Sequence, residues 1–291
     1  MYKIAHISDP HISYKDENEH GKRLVGVLND IKKKGCDHVI VTGDIVENPY
    51  PEDFEYSKEI FSHFGLLENS KMSVVPGNHD IFGGYPKAQD SFRFYINCKR
   101  VDYDKNVDQF IEVFKNTFPN NNAFPYVKII NNIALIGINS MGEWSMKNNR
   151  EGSNGFIEGE SLEKLKKILS SAEVKNKYKI VMVHHYFYKP GLDEEKQPEH
   201  TIWLKAINWK MKLYNKKNLF RMFKKYKVNL ILNGHSHVNQ VYIDKGITVV
   251  NSSTCVMPLT DDQIRMYNII SIPEEGDTER SIIIETIPIE E

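Results

Sequence analysis

The stretch Val74-Val75-Pro76-Gly77-Asn78-His79-Asp80 decides which fold the chain is expected to adopt. A short apolar run ends in Pro-Gly, and an amide oxygen, a ring nitrogen and a carboxylate follow without a gap. Open α/β sheets place their functional groups beyond the carboxyl ends of the strands, which fits this pattern. Asn and Asp are also common turn formers, so the stretch alone fits a simple strand-to-loop turn equally well.

Four further polar clusters follow apolar runs elsewhere in the chain: Asp9-X-His11, Gly43-Asp44, His184-His185 and Gly234-His235-Ser236-His237. Each is weak by itself, because Asp-X-His pairs arise by chance, Gly-Asp often marks a turn and a lone histidine is often a core residue. The Gly-His-Ser-His cluster is more specific, since alternate residues of an extended segment share one side and can reach one ion. Five such clusters together predict a common site.

The first part of the chain alternates between strands and helices. Apolar runs predict strands at 3–8, 38–42 and 71–75, and helical spacing of apolar residues predicts helices at 24–31 and 51–64. This order is typical of a parallel sheet.

The second part is richer in strands and turns. Asn131-Asn132 predicts a hairpin turn, Ser161 is a suitable cap for a helix at 162–169, and 107–118 is expected to be helical. Further strands are predicted at 126–130, 133–138, 179–183, 228–232, 238–243, 247–251, 266–272 and 281–289. No repeat or linker interrupts the pattern. We therefore expect one domain, residues 1–291, with two sheets packed face to face and helices outside.

Charge and cysteine content narrow the classes of function. The net charge of −1 provides no global field that would favour a polyanion or a membrane surface. Three cysteines far apart (Cys36, Cys98 and Cys255) argue against a disulfide framework and favour the reducing cytoplasm. The N-terminal residues enter a strand pattern at once, which leaves no room for a signal peptide, and no apolar run reaches the length of a membrane span. We expect a cytoplasmic protein without membrane contact, and the oligomeric state stays open.

Taken together, the five clusters resemble the signature of the calcineurin-like metallophosphoesterase superfamily, from Asp9 to His237. The resemblance implies a four-layer αββα sandwich with two mixed β-sheets and a dinuclear metal centre at the strand ends. Within that superfamily, Gly43-Asp44-Ile45-Val46-Glu47 and the Gly-Asn-His-Asp form look most like small bacterial phosphodiesterases of the cyclic-nucleotide and glycerophosphodiester type.

The resemblance also implies roles for individual residues. Two metal ions would be held by seven side chains, with Asp44 as the bridge: Asp9, His11, Asp44, Asn78, His184, His235 and His237. His79 resembles the catalytic histidine that lies beside the metals without binding them. His185 would face the substrate or support its neighbours. Asp80 is expected either to orient a neighbouring side chain or to cap a helix.

Nitrogen and oxygen ligands without a thiolate suit Mn, Fe, Co, Ni or Zn better than Ca or Mg. Two such ions would hydrolyse a phosphate ester, most simply a phosphodiester, by attack of a metal-bridging hydroxide. His79 would protonate the leaving oxygen, and help of this kind contributes roughly 10²–10⁴-fold.

Residues 186–215 form a cap-like insertion between two clusters. Tyr186 and Tyr188 are candidates for substrate contact, whereas Trp203 and Trp209 are expected to pack on the core. Residues 205–227 contain nine basic and no acidic side chains, which is more typical of a solvated helix face than of a nucleic-acid site.

Several alternatives stay open on the same residues. A nuclease or a phosphomonoesterase could use the same ligands, and a small phosphate ester is the expected substrate. A protein phosphatase is less favoured, because the arginine that usually follows the Gly-Asp motif is missing. A non-catalytic scaffold with this fold is the alternative from another class, although no ligand type is lacking.

Overall fold

The computed structural model describes residues 1–15, 19–84, 94–121, 123–187, 211–257, 265–274 and 281–289. The strands in this part of the chain are β1 Tyr2–Ile7, β2 His38–Val41, β3 Met72–Val74, β4 Tyr126–Ile130, β5 Ile133–Gly137, β6 Tyr178–Met182, β7 Leu230–Asn233, β8 Gln240–Asp244, β9 Ile247–Asn251, β10 Met266–Ile272 and β11 Ile283–Pro288. The helices are α1 His20–Lys33, α2 Pro51–His63, α3 Asn78–Phe82, α4 Phe94–Arg100, α5 Tyr103–Val113, α6 Gly159–Ser170, α7 Ala172–Lys175 and α8 Lys216–Lys225.

The strands form two mixed sheets, as the sequence predicts. The first has the order β11-β10-β1-β2-β3. In it, β1, β2 and β3 are parallel, β10 pairs antiparallel with β1, and β11 pairs antiparallel with β10. The second has the order β4-β5-β6-β7-β9-β8, with a parallel centre and an antiparallel strand at each edge. Parallel centres bring the carboxyl ends of neighbouring strands to one edge of each sheet.

The period-two alternation of the second sheet separates two layers of core. Leu135, Met182 and Leu232 belong to a cluster that contains the first sheet with α1 and α2. Their neighbours Ile136 and Val181 belong to a second cluster, with the buried faces of α6 and α8. Since each fully buried side chain of this size contributes about 1.5–3 kcal/mol, both layers hold the sheets in place. The predicted sandwich with helices outside is confirmed.

The edge strand β3 is covered by side chains from β4. Tyr126 donates a hydrogen bond from its hydroxyl to the carbonyl oxygen of Val74 (2.9 Å). Lys128 is buried and donates from Nζ to the carbonyl oxygens of Met72 (2.5 Å) and Asn69 (3.1 Å). These bonds occupy backbone groups that an edge strand would otherwise leave unpaired, and they join the strand before Asn78 to the second sheet.

Two helical predictions need correction. Ser161 does not cap α6, because the helix begins at Gly159 and Glu158 is the capping position. The helix predicted at 107–118 begins earlier and ends earlier, at Tyr103 and Val113, and a 3₁₀ turn follows at Lys115–Thr117. The side chain of Asp102 fixes the start by accepting a hydrogen bond from the backbone N–H of Lys105 (3.1 Å).

Most of the predicted insertion at 186–215 lies outside the described residues, including Tyr188, Trp203 and Trp209. The single-domain boundary of 1–291 stays a prediction. Among the helices described, none is both long enough and apolar enough to cross a lipid bilayer.

Candidate metal centre

Five strands deliver the predicted ligands to one region. Asp9 follows β1, Asp44 follows β2, and Asn78 opens α3 after β3. His184 follows β6, and the segment with His235 and His237 follows β7. The side chains of all seven predicted ligands lie near one another where the carboxyl ends of the two sheets meet, although they are far apart in the sequence.

The backbone at these positions is strained in a consistent way. Five of the predicted ligands have positive φ, between 44° and 72°: Asp9, His11, Asp44, His235 and His237. Left-handed conformations of non-glycine residues cost of order 1–3 kcal/mol each and tend to persist at functional sites. Packing elsewhere in the protein therefore offsets the conformational free energy that these backbone positions cost.

Glycines in the same segments permit close approach of the ligands. A Cβ on Gly77 would lie 2.2 Å from Oδ1 of Asp44. A Cβ on Gly234 would lie 1.9 Å from Oγ of Ser8 and 2.4 Å from Oδ2 of Asp9. Neither position can accept a side chain without displacing a predicted ligand or its neighbour.

The first ligand group consists of Asp9, His11, Asp44 and His237. Nε2 of His237 lies 3.3 Å from Oδ1 of Asp9 and 3.2 Å from Nε2 of His11. Oδ2 of Asp44 lies 3.9 Å from Nε2 of His11. Two carboxylates and two imidazoles thus face one small volume.

The second group consists of Asp44, His184 and His235, with the amide of Asn78 beside them. Nε2 of His184 lies 2.9 Å from Nδ1 of His235, 3.1 Å from Oδ1 of Asn78 and 3.4 Å from Oδ2 of Asp44. Asp44 belongs to both groups, which is the geometry that a bridging ligand requires.

The outer nitrogens of three of the imidazoles have polar partners. Nδ1 of His184 donates to the carbonyl oxygen of Thr42 (2.7 Å), and Nε2 of His235 donates to that of Ser153 (3.1 Å). Nδ1 of His11 lies 3.0 Å from the carboxylate of Glu47. These partners fix the tautomers, so that the inner nitrogens present lone pairs to the site.

The inner nitrogens fit a metal centre. Ligand nitrogens lie about 2.0–2.1 Å from zinc-like ions, which places neighbouring ligands about 2.9–3.4 Å apart. The N–N distances of 2.9 Å and 3.2 Å match this separation. Two lone pairs at such a distance repel unless a proton or a metal ion lies between them. The donor set of imidazole, carboxylate and amide oxygen suits divalent transition metals.

The carboxylates and imidazoles of the site are electrostatically coupled. Burial opposes ionisation of Asp44, but the imidazoles of His184 and His79 outweigh it and hold the pKa of this carboxyl well below its usual value. Burial likewise opposes protonation of His184, but Asp44 raises its pKa to about 9. Burial and the nearby His184 lower the pKa of His235 to about 3. A site that binds one proton this tightly is a site where a cation is stabilised.

His79 lies beside both groups with an accessible ring. Its backbone N–H donates to Oδ1 of Asp44 (2.7 Å), and its Nδ1 lies 3.1 Å from the carbonyl oxygen and 3.4 Å from Oε2 of Glu47. The ring meets that of His11 edge-on at 4.4 Å. Burial disfavours the imidazolium, but Asp44 and Glu47 raise the pKa of His79 to about 10. The side chain is 21% exposed, so it can reach a ligand from outside.

The predicted substrate contacts have different surroundings. His185 is fully buried, its Nδ1 lies 2.7 Å from Oγ of Ser140, and its ring centroid lies 4.8 Å from that of His235. Tyr186 is 5% exposed, and its hydroxyl donates to Oε1 of Gln240 (2.7 Å). These surroundings favour support of the site over direct contact for both residues, and substrate contact remains an untested prediction. Tyr188 lies outside the described residues.

The open question about Asp80 is answered by its contacts. Oδ2 accepts a hydrogen bond from the backbone N–H of Gly77 (2.8 Å), and Oδ1 accepts one from that of Val46 (3.0 Å). Asp80 is therefore the third residue of α3 and caps its first turn. It also ties that turn to the segment that carries Asp44.

Three partners were missed by the sequence interpretation. Glu47 is three positions after Asp44 in the sequence, and this short spacing could have indicated that it lies near the site. Thr42 and Ser153 act through backbone carbonyl oxygens, which any residue type supplies, so that no sequence pattern could have indicated them.

This fold and this convergence of metal-binding side chains define a metallohydrolase of the phosphoesterase class. The family model described as calcineurin-like phosphoesterase matches residues 2–239, and the chain belongs to that family. Its members act on phosphate esters with a dinuclear metal centre. A search of the curated protein sequences gave no match.

Solved structures share the fold at low sequence identity. A dimetal phosphatase from Danio rerio is 11% identical, with 99% of this chain and 98% of the other covered and a TM-score of 0.61. A purple acid phosphatase from yellow lupin seeds is 14% identical, with 99% and 51% covered and a TM-score of 0.58. GAP50, the anchor in the inner membrane complex of Plasmodium, is 13% identical, with 99% and 84% covered and a TM-score of 0.52.

Proposed function

We propose that the protein hydrolyses phosphodiesters at two divalent transition metal ions. Asp9, His11 and His237 would hold one ion, Asn78, His184 and His235 would hold the other, and Asp44 would be shared between them. The observation that carries this assignment is the membership of Asp44 in both ligand groups. When bound, such a pair of ions supplies a nucleophile at neutral pH and offsets the charge on the phosphoryl oxygens.

The residues of the chain then have separate tasks. In the net reaction, the oxygen of a water molecule bonds to phosphorus, the bond to the leaving oxygen breaks, and that oxygen takes up a proton. His79 is placed to deliver this proton, because its Nδ1 lies 3.4 Å from the carboxylate of Glu47 and part of the ring is exposed. Glu47 also orients His11, so that one carboxylate supports a ligand and the proton donor together.

The preference for diesters rests on the resemblance of the Gly43–Glu47 and Gly77–Asp80 segments to small bacterial phosphodiesterases. The fold alone does not imply catalysis, since the Plasmodium protein with this fold is described as an anchor. Metal content therefore has to be measured together with activity.

The test is a substrate panel on the Mn-loaded protein. Bis(4-nitrophenyl) phosphate should be hydrolysed faster than 4-nitrophenyl phosphate, with cyclic nucleotides and glycerophosphodiesters as further diesters. Faster hydrolysis of the monoester would contradict the diester preference. A protein that retains far less than one transition metal per chain and hydrolyses neither ester would support the scaffold alternative.

A further inference from the structure

The segment 211–227 concentrates positive charge on one surface. It contains seven basic and no acidic residues. Within α8, Leu219, Phe220 and Phe223 are buried against the second sheet. Lys217, Arg221 and Lys224 follow one another at four and three positions, so they share the outer side of the helix, which is about 15 Å long. Together with exposed Lys212 they form a surface that we call the basic face.

Among the described residues, no carboxylate forms an ion pair with the basic face. On other helices, lysines pair with acids one turn away, as in Lys58–Glu55 (3.2 Å) and Lys166–Glu163 (2.6 Å). In the described part of the chain, no ion pair involves the four side chains of the basic face. Arg221 instead donates to the neutral side chain of Asn218 (3.0 Å).

Two cations of the basic face also lie near Lys216. Burial lowers the pKa of Lys216, Asp244 opposes this effect, and the like charges of Lys217, Lys212 and Lys245 lower the pKa further. A surface that gathers like charges in this way attracts an anion with several charges.

The segment that carries Lys212 and Tyr214 is connected to the candidate metal centre through Gly155. The backbone N–H of Gly155 donates to the carbonyl oxygen of Lys212 (3.0 Å), and that of Tyr214 donates to the carbonyl oxygen of Gly155 (2.9 Å). A Cβ on Gly155 would lie 2.4 Å from Nδ1 of His185, whose ring adjoins His235. The segment that precedes α8 is thus linked to the predicted ligand His235 through two intervening residues, Gly155 and His185.

An exposed aromatic ring lies at this junction. Tyr214 is 38% exposed, and Nζ of Lys212 lies 4.6 Å from the centre of its ring. Single-stranded nucleic acids bind to surfaces that combine cations for the phosphates with aromatic rings on which bases stack. A membrane-surface helix would present its apolar side to lipid, whereas that side of α8 is packed on the second sheet.

We propose that the basic face and Tyr214 bind a single-stranded nucleic acid and lead its phosphodiester backbone to the metal centre. Cleavage of the strand rests on the proposed function, whereas binding of the strand does not. The proposed substrate is therefore a polyanion, which is larger than the small phosphate ester that the sequence analysis expects.

Binding can be tested on the full-length chain in the presence of a chelator. Fluorescence anisotropy of a labelled single-stranded oligonucleotide should report tight binding that weakens between about 50 and 200 mM salt. The double variant Lys217→Glu/Arg221→Glu should bind at least tenfold more weakly. Its salt slope should be smaller by about 1.4, since each phosphate contact with a single strand contributes about 0.7. Tyr214→Ala should weaken binding by about tenfold, the effect of one lost base stack.

The matched control is Lys32→Glu/Lys33→Glu at the end of α1, which makes the same change in net charge at exposed positions on another layer. It should bind the oligonucleotide within about twofold of the wild type. Equal weakening by both double variants, or no weakening by the α8 variant, would overturn the proposal. The proposal would also be overturned if the protein binds phosphatidylserine vesicles through the basic face and does not bind the oligonucleotide.

Activity assays separate this inference from the proposed function. The Mn-loaded α8 variant should hydrolyse bis(4-nitrophenyl) phosphate like the wild type and lose at least tenfold in kcat/KM on the oligonucleotide. If the wild type hydrolyses the small diester but binds the oligonucleotide independently of the basic face, the inference alone is wrong. If no ester is hydrolysed, the proposed function is wrong, and the anisotropy result still decides the inference.

Discussion

The Nε2 atoms of His11 and His237 lie 3.2 Å apart, although 226 positions separate the two residues in the chain. His11 follows a strand of the first sheet and His237 follows a strand of the second, so the contact joins the two halves of the sandwich at the candidate metal centre. Two lone pairs at this distance repel unless a proton or a metal ion lies between them, and the following predictions test the metal site and its consequences.

Asp44→Asn should remove metal from both ligand groups, because Asp44 belongs to each. An amide offers one neutral oxygen in place of a shared carboxylate, so retained metal should fall below half of the wild-type content after gel filtration. Elemental analysis measures the change. Asp53→Asn is the control, since Asp53 is also buried but binds Ser13 and Tyr14. Full metal retention by Asp44→Asn would refute the bridging role.

His79→Ala should keep both metals and lose turnover by roughly 10²–10⁴-fold, the usual contribution of a positioned proton donor. The reason is that His79 contacts Asp44 through its backbone N–H, which alanine preserves. Metal analysis and kcat on an aryl diester are measured on the same sample. An empty site in this variant would mean that His79 is a ligand.

Gly234→Ala should destabilise the protein by about 1–3 kcal/mol, as overpacking does, and should weaken metal retention. The added Cβ would lie within 2.4 Å of Oδ2 of Asp9 and closer still to Ser8. Gly26→Ala is the matched control, because Gly26 lies inside α1 with no atom within 4 Å of the added Cβ. It should stabilise the protein by about 0.5–1 kcal/mol. Urea denaturation of both variants gives the comparison, and a neutral Gly234→Ala would contradict the packing.

Asn251→Leu should loosen the segment that carries His235 and His237. The buried amide of Asn251 donates to Oγ of Ser236 (2.6 Å) and to the carbonyl oxygen of Val238. Loss of partners of this kind typically reduces metal affinity by 10–100-fold, which isothermal titration with Mn or Zn measures. Asn251→Asp keeps an acceptor without the donor and should not restore affinity, whereas Asn251→Gln should restore part of it. Unchanged affinity in Asn251→Leu would show that the segment holds its shape without this residue.

Lys128 should give the stability a pH dependence. Burial lowers the pKa of Lys128 to about 7, while an unfolded chain keeps the usual value near 10.5. Between these values the unfolded state binds a proton that the folded state lacks, so the free energy of unfolding should rise with pH over this window. Lys128→Met should flatten that rise in urea titrations of chelated protein between pH 7 and about 9.5.

The control for Lys128 is Lys177→Met. Lys177 also donates to a backbone carbonyl, that of Asn131 (2.8 Å), but it is only partly buried. Its removal should leave the pH dependence as in the wild type. If Lys128→Met keeps the full slope, another group is responsible, and His38 and Tyr126 are the titratable neighbours to examine.

Much of the fold could be predicted because its determinants are local. The apolar run of β1 and the helical spacing of Leu24, Leu28 and Ile31 depend on residues a few positions apart. The hairpin at Asn131-Asn132 is equally local, and Asn131 has the positive φ that such turns use. Helix ends were predicted less well, because α6 begins after Glu158, whose side chain makes no capping hydrogen bond, so no capping residue marks that start in the sequence.

The sequence by itself determined which side chains follow the ends of the strands, and therefore which chemistry the site offers: carboxylates, imidazoles and one amide. Only the tertiary structure decided which nitrogen of three of these imidazoles faces inward, because the outer partners Glu47, Thr42 and Ser153 come from other segments. It also joined the segment that precedes α8 to Gly155, which lies beside His185. The physical reason is that the strands and the polar clusters that follow them are specified by residues close together in the sequence. Hydrogen-bond partners and neighbouring charges, in contrast, come together only when the two sheets pack.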